Sequence, residues 1–173
     1  MSQIEITVNG VRAAVECPED WTLAEVLRET FDRIDVNVAC GHGVCGSCTV
    51  IVDGKPVRSC LELGQRAAGR SVTTVSGLVD LDLETAQVLR TCFVEENAFQ
   101  CGFCTPGMVV TAFCGLLREK RRLAPAEARE MVNGNLCRCT GYTAIARAIA
   151  RASDALDAGG ARDRMTKAME EEQ

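Results

Sequence analysis

The chain opens with alternating apolar and polar residues, the pattern of half-buried β-strands. The alternation runs through residues 4–8 (IEITV), breaks at Asn9-Gly10 and resumes over residues 11–15. Because Asn-Gly accepts the positive φ angles of a tight primed turn, this segment predicts a β-hairpin. A capping box at Thr22 and Glu25 then predicts a helix. Its expected apolar face consists of Leu23, Val26, Leu27 and Phe31.

A second set of strand signals follows a cysteine-rich loop. Residues 49–52 and 55–60 flank Asp53-Gly54 and predict another hairpin, in which Pro56 favours an edge position. Residues 71–75 (SVTTV) predict a last short strand. Residues 1–78 are therefore predicted to form an α+β domain.

The apolar period changes to that of helices over residues 79–158. Asp82, Thr105-Pro106 and Pro125 mark three predicted helix starts, with Thr105 as the N-cap of the second. Residues 133–135 (NGN) end the third helix, and residues 142–157 predict a fourth. The predicted apolar positions of the first of these helices are Leu83, Ala86, Leu89, Phe93 and Val94. This second domain is predicted to be all-α, and the charged tail, residues 159–173, is predicted to fray.

Composition and charge argue against several classes of function. The 173 residues are 47% hydrophobic and carry a net charge of −5, which argues against a nucleic-acid partner. No apolar run approaches the length of a membrane-spanning helix, and the N-terminus (MSQIEITVNG) shows no secretory signal. A reducing, cytoplasmic location is expected, where the 11 cysteines indicate metal binding rather than disulfides.

The first cysteine set has a recognisable spacing. Cys40, Cys45 and Cys48 form a C-x4-C-x2-C loop, and Cys60 follows after the next predicted hairpin. This is the plant-type [2Fe–2S] pattern, and the three glycines within the loop let the backbone wrap closely around a cluster. Structural zinc is the alternative, although paired C-x2-C knuckles would be expected for it. A Rieske centre needs two histidines, whereas His42 is the only one here.

The second cysteine set is less specific by spacing. Cys101 and Cys104 precede one predicted helix, and Cys137 and Cys139 precede another. Two helix N-termini would favour the negative charge of a four-thiolate site. The spacing favours iron–sulfur over zinc and leaves both open. The remaining cysteines, Cys17, Cys92 and Cys114, are predicted to pack as small hydrophobic residues.

Three segments together resemble one protein family. They are ACGHGVCGSCTVIVDGKPVRSCL, QCGFCTPGM and GNLCRCTGY, at residues 39–61, 100–108 and 134–142. They look like the small iron–sulfur subunit of the molybdenum hydroxylases, the xanthine oxidase and aerobic carbon monoxide dehydrogenase family. The resemblance covers residues 3 to about 155.

The resemblance implies a fold and two cofactors in this chain. The N-terminal domain would be a β-grasp, ferredoxin-like fold, and the C-terminal domain a four-helix bundle. Two [2Fe–2S] clusters would be bound, one by Cys40, Cys45, Cys48 and Cys60, the other by Cys101, Cys104, Cys137 and Cys139. Gln100 and Cys139 match positions that contact the molybdopterin-type cofactor of the large subunit.

The resemblance also implies a role in electron transfer without substrate chemistry in this chain. Electrons would pass one at a time from the molybdopterin centre through the two clusters to FAD. The expected partners are a large molybdenum-cofactor subunit and a medium FAD subunit, assembled as a dimer of heterotrimers. The complex would be cytoplasmic, or periplasmic if a partner carried an export signal. The rival interpretations are a free-standing two-cluster ferredoxin and a zinc-stabilised binding module.

Overall fold

A mixed five-stranded sheet forms the N-terminal half of the molecule. The computed structural model describes residues 2–119 and 121–158. In sequence order the strands are β1 (Ser2–Val8), β2 (Val11–Cys17), β3 (Thr49–Val52), β4 (Lys55–Arg58) and β5 (Ser71–Thr73). Their spatial order is β2-β1-β5-β3-β4, with β1 and β5 parallel and the other pairs antiparallel. Both predicted hairpins and the predicted last strand are confirmed.

Positive φ angles close the two hairpins as the sequence requires. They are 48° at Asn9 and 77° at Gly10, and 46° at Asp53 and 74° at Gly54. These values are those of a type I′ turn, whose twist matches that of the flanking strands. Pro56 lies on β4, at the edge of the sheet, where its missing N–H costs no ladder hydrogen bond.

The helix after the first hairpin differs from its prediction. The capping box forms, with Thr22 Oγ1 accepting from Glu25 N at 3.3 Å and Glu25 Oε2 accepting from Thr22 N at 2.7 Å. After one α-helical turn, α1 (Leu23–Glu25), the chain continues as a π-helical segment, Val26–Thr30. Leu23, Val26 and Leu27 are buried as expected, because both helix types keep these positions on the core side.

Helices make up the C-terminal half. They are α2 (Leu78–Leu81), α3 (Leu83–Glu95), α4 (Thr105–Glu119), α5 (Pro125–Met131) and α6 (Thr143–Ala158). The four predicted helices are confirmed as α3 to α6, whereas α2 has no counterpart in the prediction. The predicted tail, residues 159–173, lies outside the described residues. In the part of the chain that the structure describes, no helix is long and apolar enough to cross a bilayer.

Two details of the helix predictions are wrong. Thr105 is the first residue of α4 rather than its N-cap. Leu83 and Val94, expected in the core, are 55% and 56% exposed. They lie near the two ends of α3, beyond the packed middle where Ala86, Leu89 and Phe93 are buried.

Strand β3 joins the cores of the two halves. Val50 and Val52 belong to the core of the sheet domain, whereas Ile51 packs into the core of the helices. All four residues of β3 are therefore buried, which explains why its sequence is a continuous TVIV rather than an alternating pattern. The cysteine loop that precedes β3 is consequently held between the sheet and the helices.

Candidate metal centres

The first cysteine loop surrounds its own sulfur atoms with backbone donors. The N–H groups of His42 and Cys45 donate to Cys40 Sγ at 3.3 Å and 3.4 Å. These contacts, that of Cys45 first, lower the pKa of Cys40 to about 6. Positive φ angles at Gly41, Gly43 and Gly46 bend the backbone around the sulfurs. The loop therefore favours a thiolate, the form in which cysteine binds metal.

Cys48 and Cys60 form a buried pair beside this loop. Cys48 and Cys60 are 1% and 7% exposed, and their thiols interact with each other. Burial, and then the contact with Cys48, raises the pKa of Cys60 to about 11. Ser59 donates to the carbonyl of Cys48 through both its hydroxyl, at 2.7 Å, and its backbone N–H, at 3.3 Å. These two hydrogen bonds fix the end of β4 against the start of β3 and so bring Cys60 to the loop.

The second cysteine set meets where two loops precede helices. Cys139 Sγ lies 3.6 Å from Cys101 Sγ, and both residues are exposed. The thiols of Cys104 and Cys137 also contact each other. Cys104 comes directly before α4, so the positive end of that helix dipole lies beside it. The structure thus unites residues that are 38 positions apart in the sequence.

Side chains as well as backbone shape the second site. Thr140 Oγ1 donates to Cys137 Sγ at 3.2 Å, and the Tyr142 hydroxyl accepts from Cys137 N at 2.9 Å. Burial alone would raise the pKa of Cys137, but hydrogen bonds, those of Thr140 foremost, lower it overall. Burial, and then the contact with Cys137, raises the pKa of Cys104 to about 12.

The sulfur contacts fall into pairs in both sites. Cys139 Sγ lies 3.6 Å from Cys101 Sγ, and the strongest thiol interactions of the other cysteines link Cys40 with Cys45, Cys48 with Cys60 and Cys104 with Cys137. Among the described residues, no group of three or more His, Cys, Asp or Glu side chains is arranged to hold one metal ion. Two thiol pairs per site match a centre of two irons, each of which takes two thiolates.

The two sites touch each other through backbone and side-chain contacts. Leu136 N donates to Cys45 O at 2.7 Å, and Arg58 Nη2 donates to Gly134 O at 2.6 Å. A Cβ atom on Gly107, in the first turn of α4, would clash with Gly46 O. The sheet domain and the helices therefore approach each other at backbone distance where the cysteine loops meet.

The other residues considered in the sequence lie around or away from the two sites. Gln100 is exposed beside Cys101, and His42 is an exposed loop residue whose backbone N–H faces Cys40. Cys17 and Cys92 are buried and Cys114 is half-buried, and burial raises the pKa of all three thiols. All 11 cysteines are free thiols.

Several residues that hold these loops are not among the predicted site residues. Asn135, Thr140 and Tyr142 are not predicted as supporting residues. The side chains of Thr140 and Tyr142 bond to the loop around Cys137, and the side chain of Asn135 bonds to Gly46 O of the first cysteine loop. A signal is present in the sequence, because polar residues clustered around closely spaced cysteines are candidates for supporting a metal site. The bond of Arg58 to Gly134 has no such signal, since the two residues are 76 positions apart.

The fold and the two sets of cysteines are those of an iron–sulfur protein. Two family models match it: a 2Fe-2S iron-sulfur cluster binding domain over residues 6–92 and a [2Fe-2S] binding domain over residues 74–150. The chain belongs to the family of small iron–sulfur subunits of xanthine dehydrogenase-type molybdenum hydroxylases.

Curated relatives support this assignment. The chain is 42% identical to the nicotine 6-hydroxylase small subunit of Paenarthrobacter nicotinovorans, over 85% of this chain and 87% of that one. It is 38% identical to the alpha subunit of isoquinoline 1-oxidoreductase of Brevundimonas diminuta, over 87% of this chain and 97% of that one. Both relatives are therefore matched over nearly their whole length.

The structural matches cover most of the chain as well. Quinoline 2-oxidoreductase from Pseudomonas putida 86 matches with a TM-score of 0.81 and 39% identity, over 91% of this chain and 97% of that one. Aldehyde oxidoreductase from Desulfovibrio gigas matches with a TM-score of 0.80 and 32% identity. The match covers 95% of this chain but 18% of that one, so the equivalent region there is part of a much longer chain.

Proposed function

We propose that this chain is the electron-transfer subunit of a molybdenum hydroxylase and holds two [2Fe–2S] clusters. One would be bound by Cys40, Cys45, Cys48 and Cys60, and the other by Cys101, Cys104, Cys137 and Cys139. When bound, such clusters accept and release one electron at a time, which carries electrons from a molybdopterin centre to FAD. The observation that carries the proposal is that the fold gathers each set of four cysteines, with N–H donors at Cys40 and a 3.6 Å contact between Cys101 and Cys139, in a chain matched by two [2Fe-2S] domain models.

The residues around the sulfurs fit a negatively charged group. Backbone N–H groups face Cys40, a threonine hydroxyl faces Cys137, and a helix N-terminus lies beside Cys104. Donors to sulfur and a helix dipole stabilise negative charge and tune the reduction potential of a cluster. The close approach of Gly46 and Gly107 leaves no room for side chains between the two sites.

Exposure suggests where electrons enter. Cys101, Cys139 and Gln100 are all exposed, whereas Cys48 and Cys60 are buried. We infer that the second site, with Gln100 and Cys139, faces the molybdopterin-type cofactor of a large subunit. The first site then lies nearer the FAD of a medium subunit. Electron transfer is faster over shorter distances. An exposed thiolate ligand gives the shortest distance between a cluster and a cofactor bound in a partner subunit.

The finer architecture is also part of the proposal. Residues 1–78 would form the β-grasp domain and residues 79–158 the four-helix bundle. The mixed sheet with parallel β1 and β5 supports the first assignment. Packing of α6 against both α3 and α5 supports the second. The complete enzyme would be a cytoplasmic dimer of heterotrimers.

Relatives indicate the reaction class but no single substrate. Their names include xanthine and caffeine dehydrogenase, nicotine 6-hydroxylase and aldehyde oxidoreductase subunits. We infer that the complex oxidises a small organic substrate in its large subunit. This chain contributes electron transfer alone, so its sequence carries no substrate preference.

Purification from the native host tests the assignment. A tag on this chain is expected to recover a complex that contains molybdenum, FAD and about four irons for each copy of the chain. A variant of the half-buried non-ligand Cys114, Cys114→Ser, serves as the control and should recover the same complex. Isolation of the chain alone with four irons would instead support the free ferredoxin, and isolation with zinc would overturn both interpretations.

A further inference from the structure

The two cysteine loops are joined by a single backbone hydrogen bond. Leu136 N donates to Cys45 O at 2.7 Å. Cys45 belongs to the first cysteine set, and Leu136 directly precedes Cys137 of the second. A short covalent path therefore runs from one set of sulfurs to the other and is interrupted only by this bond. The geometry of the bond depends on whatever holds residues 134–136 against residues 45–46.

The side chain of Asn135 spans this contact. It is 1% exposed, its Nδ2 donates to Gly46 O at 2.9 Å, and its Oδ1 accepts from Thr111 Oγ1 at 3.0 Å. Thr111 lies in α4, where its one hydroxyl proton is shared between Asn135 Oδ1 and Gly107 O, the latter at 2.8 Å. The carboxamide thus ties the first cysteine loop to both the second loop and a helix.

The backbone of Asn135 is held as well. Its carbonyl accepts from the Tyr142 hydroxyl at 3.0 Å, and the same hydroxyl accepts from Cys137 N. Tyr142 therefore fixes the loop internally, while the Asn135 side chain fixes it to the neighbouring domain. Arg58, through Gly134 O, is the other side-chain contact described between this loop and the sheet domain.

We propose that Asn135 is a positioning residue for electron exchange between the two cysteine sites. The inference rests on the proposed function, because it requires a cluster at each site. In the exchange, one site loses one electron and the other gains it, with no proton or bond transferred. Electronic coupling across a hydrogen bond weakens as its donor and acceptor separate. By holding Gly46 beside residue 135, the carboxamide keeps Leu136 N within bonding distance of Cys45 O.

Two variants separate positioning from general support of the fold. Asn135→Leu keeps a similar side-chain volume and removes both carboxamide bonds. Thr111→Val is the matched control, because it removes the bond to Asn135 Oδ1 and leaves the bond to Gly46 O. Both are studied in the full complex that contains the chain, with iron content and the two reduced-cluster resonance signals recorded first.

The expected result is a selective loss of coupling in Asn135→Leu. Both signals and the iron content should persist, while the spin–spin interaction between the reduced clusters weakens. The transfer of an electron between the sites, followed by rapid freezing, should slow by about tenfold or more, which is comparable to the loss of metal affinity or activity when residues that support metal ligands are removed. Amide hydrogen exchange in the peptide that contains Leu136 should accelerate. Thr111→Val should remain close to the wild type in all three measurements.

The outcomes distinguish this inference from the proposed function. Unchanged coupling, transfer rate and amide exchange in a fully loaded Asn135→Leu complex would overturn the inference alone. A wild-type complex without two iron–sulfur signals would overturn the proposed function and this inference with it. If Asn135→Leu does not assemble, Asn135→Ser, which leaves room for water, is measured in the same way. Failure of both variants to assemble would assign Asn135 a role in folding and overturn the positioning role.

Discussion

The two cysteine sites use different parts of the chain to achieve similar sulfur pairs. In the first site, three cysteines lie within nine residues and the backbone itself supplies donors to sulfur. In the second, two loops far apart in sequence meet, and side chains of Thr140 and Tyr142 support them. The first site is thus built by local backbone conformation, and the second by tertiary packing.

This difference predicts where each site is vulnerable. The first site depends on glycine dihedrals and close backbone approach, so added side-chain atoms should damage it most. The second depends on hydroxyl groups and helix packing, so deletions of polar atoms should damage it most. The two sites also differ in exposure. Cys101 and Cys139 of the second site are exposed, whereas Cys48 and Cys60 of the first site are buried.

Loss of a proposed ligand should give the largest effect. Cys104→Ser is expected to abolish the second cluster and about half of the iron while the first cluster persists, because the first site is built locally. Iron analysis and electron paramagnetic resonance measure this. Cys114→Ser, a change of another half-buried thiol outside both sites, is the control and should keep all of the iron. Loss of both clusters from Cys104→Ser would show that the sites do not form independently.

An added methyl group at Gly46 should come next. A Cβ there would lie 2.5 Å from Gly134 O, and φ is +75°. Overpacking and the left-handed conformation together predict a loss of about 2–5 kcal/mol of unfolding free energy for Gly46→Ala. Gly54→Ala is the control for the cost of the left-handed backbone alone. Its φ is +74°, and no atom lies within 4 Å of an added Cβ, so a loss of about 1–2 kcal/mol of unfolding free energy is expected. If calorimetry gave equal losses of unfolding free energy for the two variants, the contact between Gly46 and Gly134 would not be the cause of the destabilisation.

Removal of the Tyr142 hydroxyl should have a moderate effect confined to the second site. Tyr142→Phe leaves Cys137 N and Asn135 O without this partner, which predicts a loss of about 1–3 kcal/mol. The resonance signal of the second cluster should shift while that of the first stays unchanged. Arg129→Gln is the matched control, because it removes only the cation–π contact at 5.6 Å from the ring centroid, worth about 0.5–1 kcal/mol. A shift of the first signal instead would contradict the assignment of Tyr142 to the second site.

The smallest expected effect concerns an ion pair between helices. Hydrogen bonds from Arg151 and then Arg147 lower the pKa of Glu96, at the end of α3. A lowered folded-state pKa means that the stabilisation is complete above the ordinary value of 4.5 and is lost as the pH falls through the lower folded value. Glu96→Gln should therefore lower the thermal midpoint slightly at pH values above 4.5 and have no effect at strongly acidic pH. A constant difference at every pH would show that the charge is not involved.

Cysteine spacing alone predicts the kind of the first site but not the kind of the second. Cys40, Cys45 and Cys48 are close in sequence, so their spacing alone predicts a plant-type loop. Cys104 and Cys137 are brought together by the packing of helices, and spacing cannot report that contact. The flanking segments QCGFCTPGM and GNLCRCTGY indicate the family, which supplies the missing information.

Sequence patterns also do not report the contacts that decide some details of the fold. Apolar periodicity places Leu23, Val26 and Leu27 in the core but does not distinguish an α-helix from the π-helical segment Val26–Thr30. Asn135 is predicted only as part of a helix end, because asparagine serves both in turns and as a buried bridging residue. Its role becomes visible only when Gly46 and Thr111 are found beside it.

We propose that this chain holds two separate [2Fe–2S] clusters, each between two pairs of thiolates. Electron paramagnetic resonance of the reduced complex, quantified against the amount of this chain, tests it most directly. We predict two distinct signals that each integrate to about one spin per chain. A single signal, or a colourless chain that holds zinc, would contradict the claim.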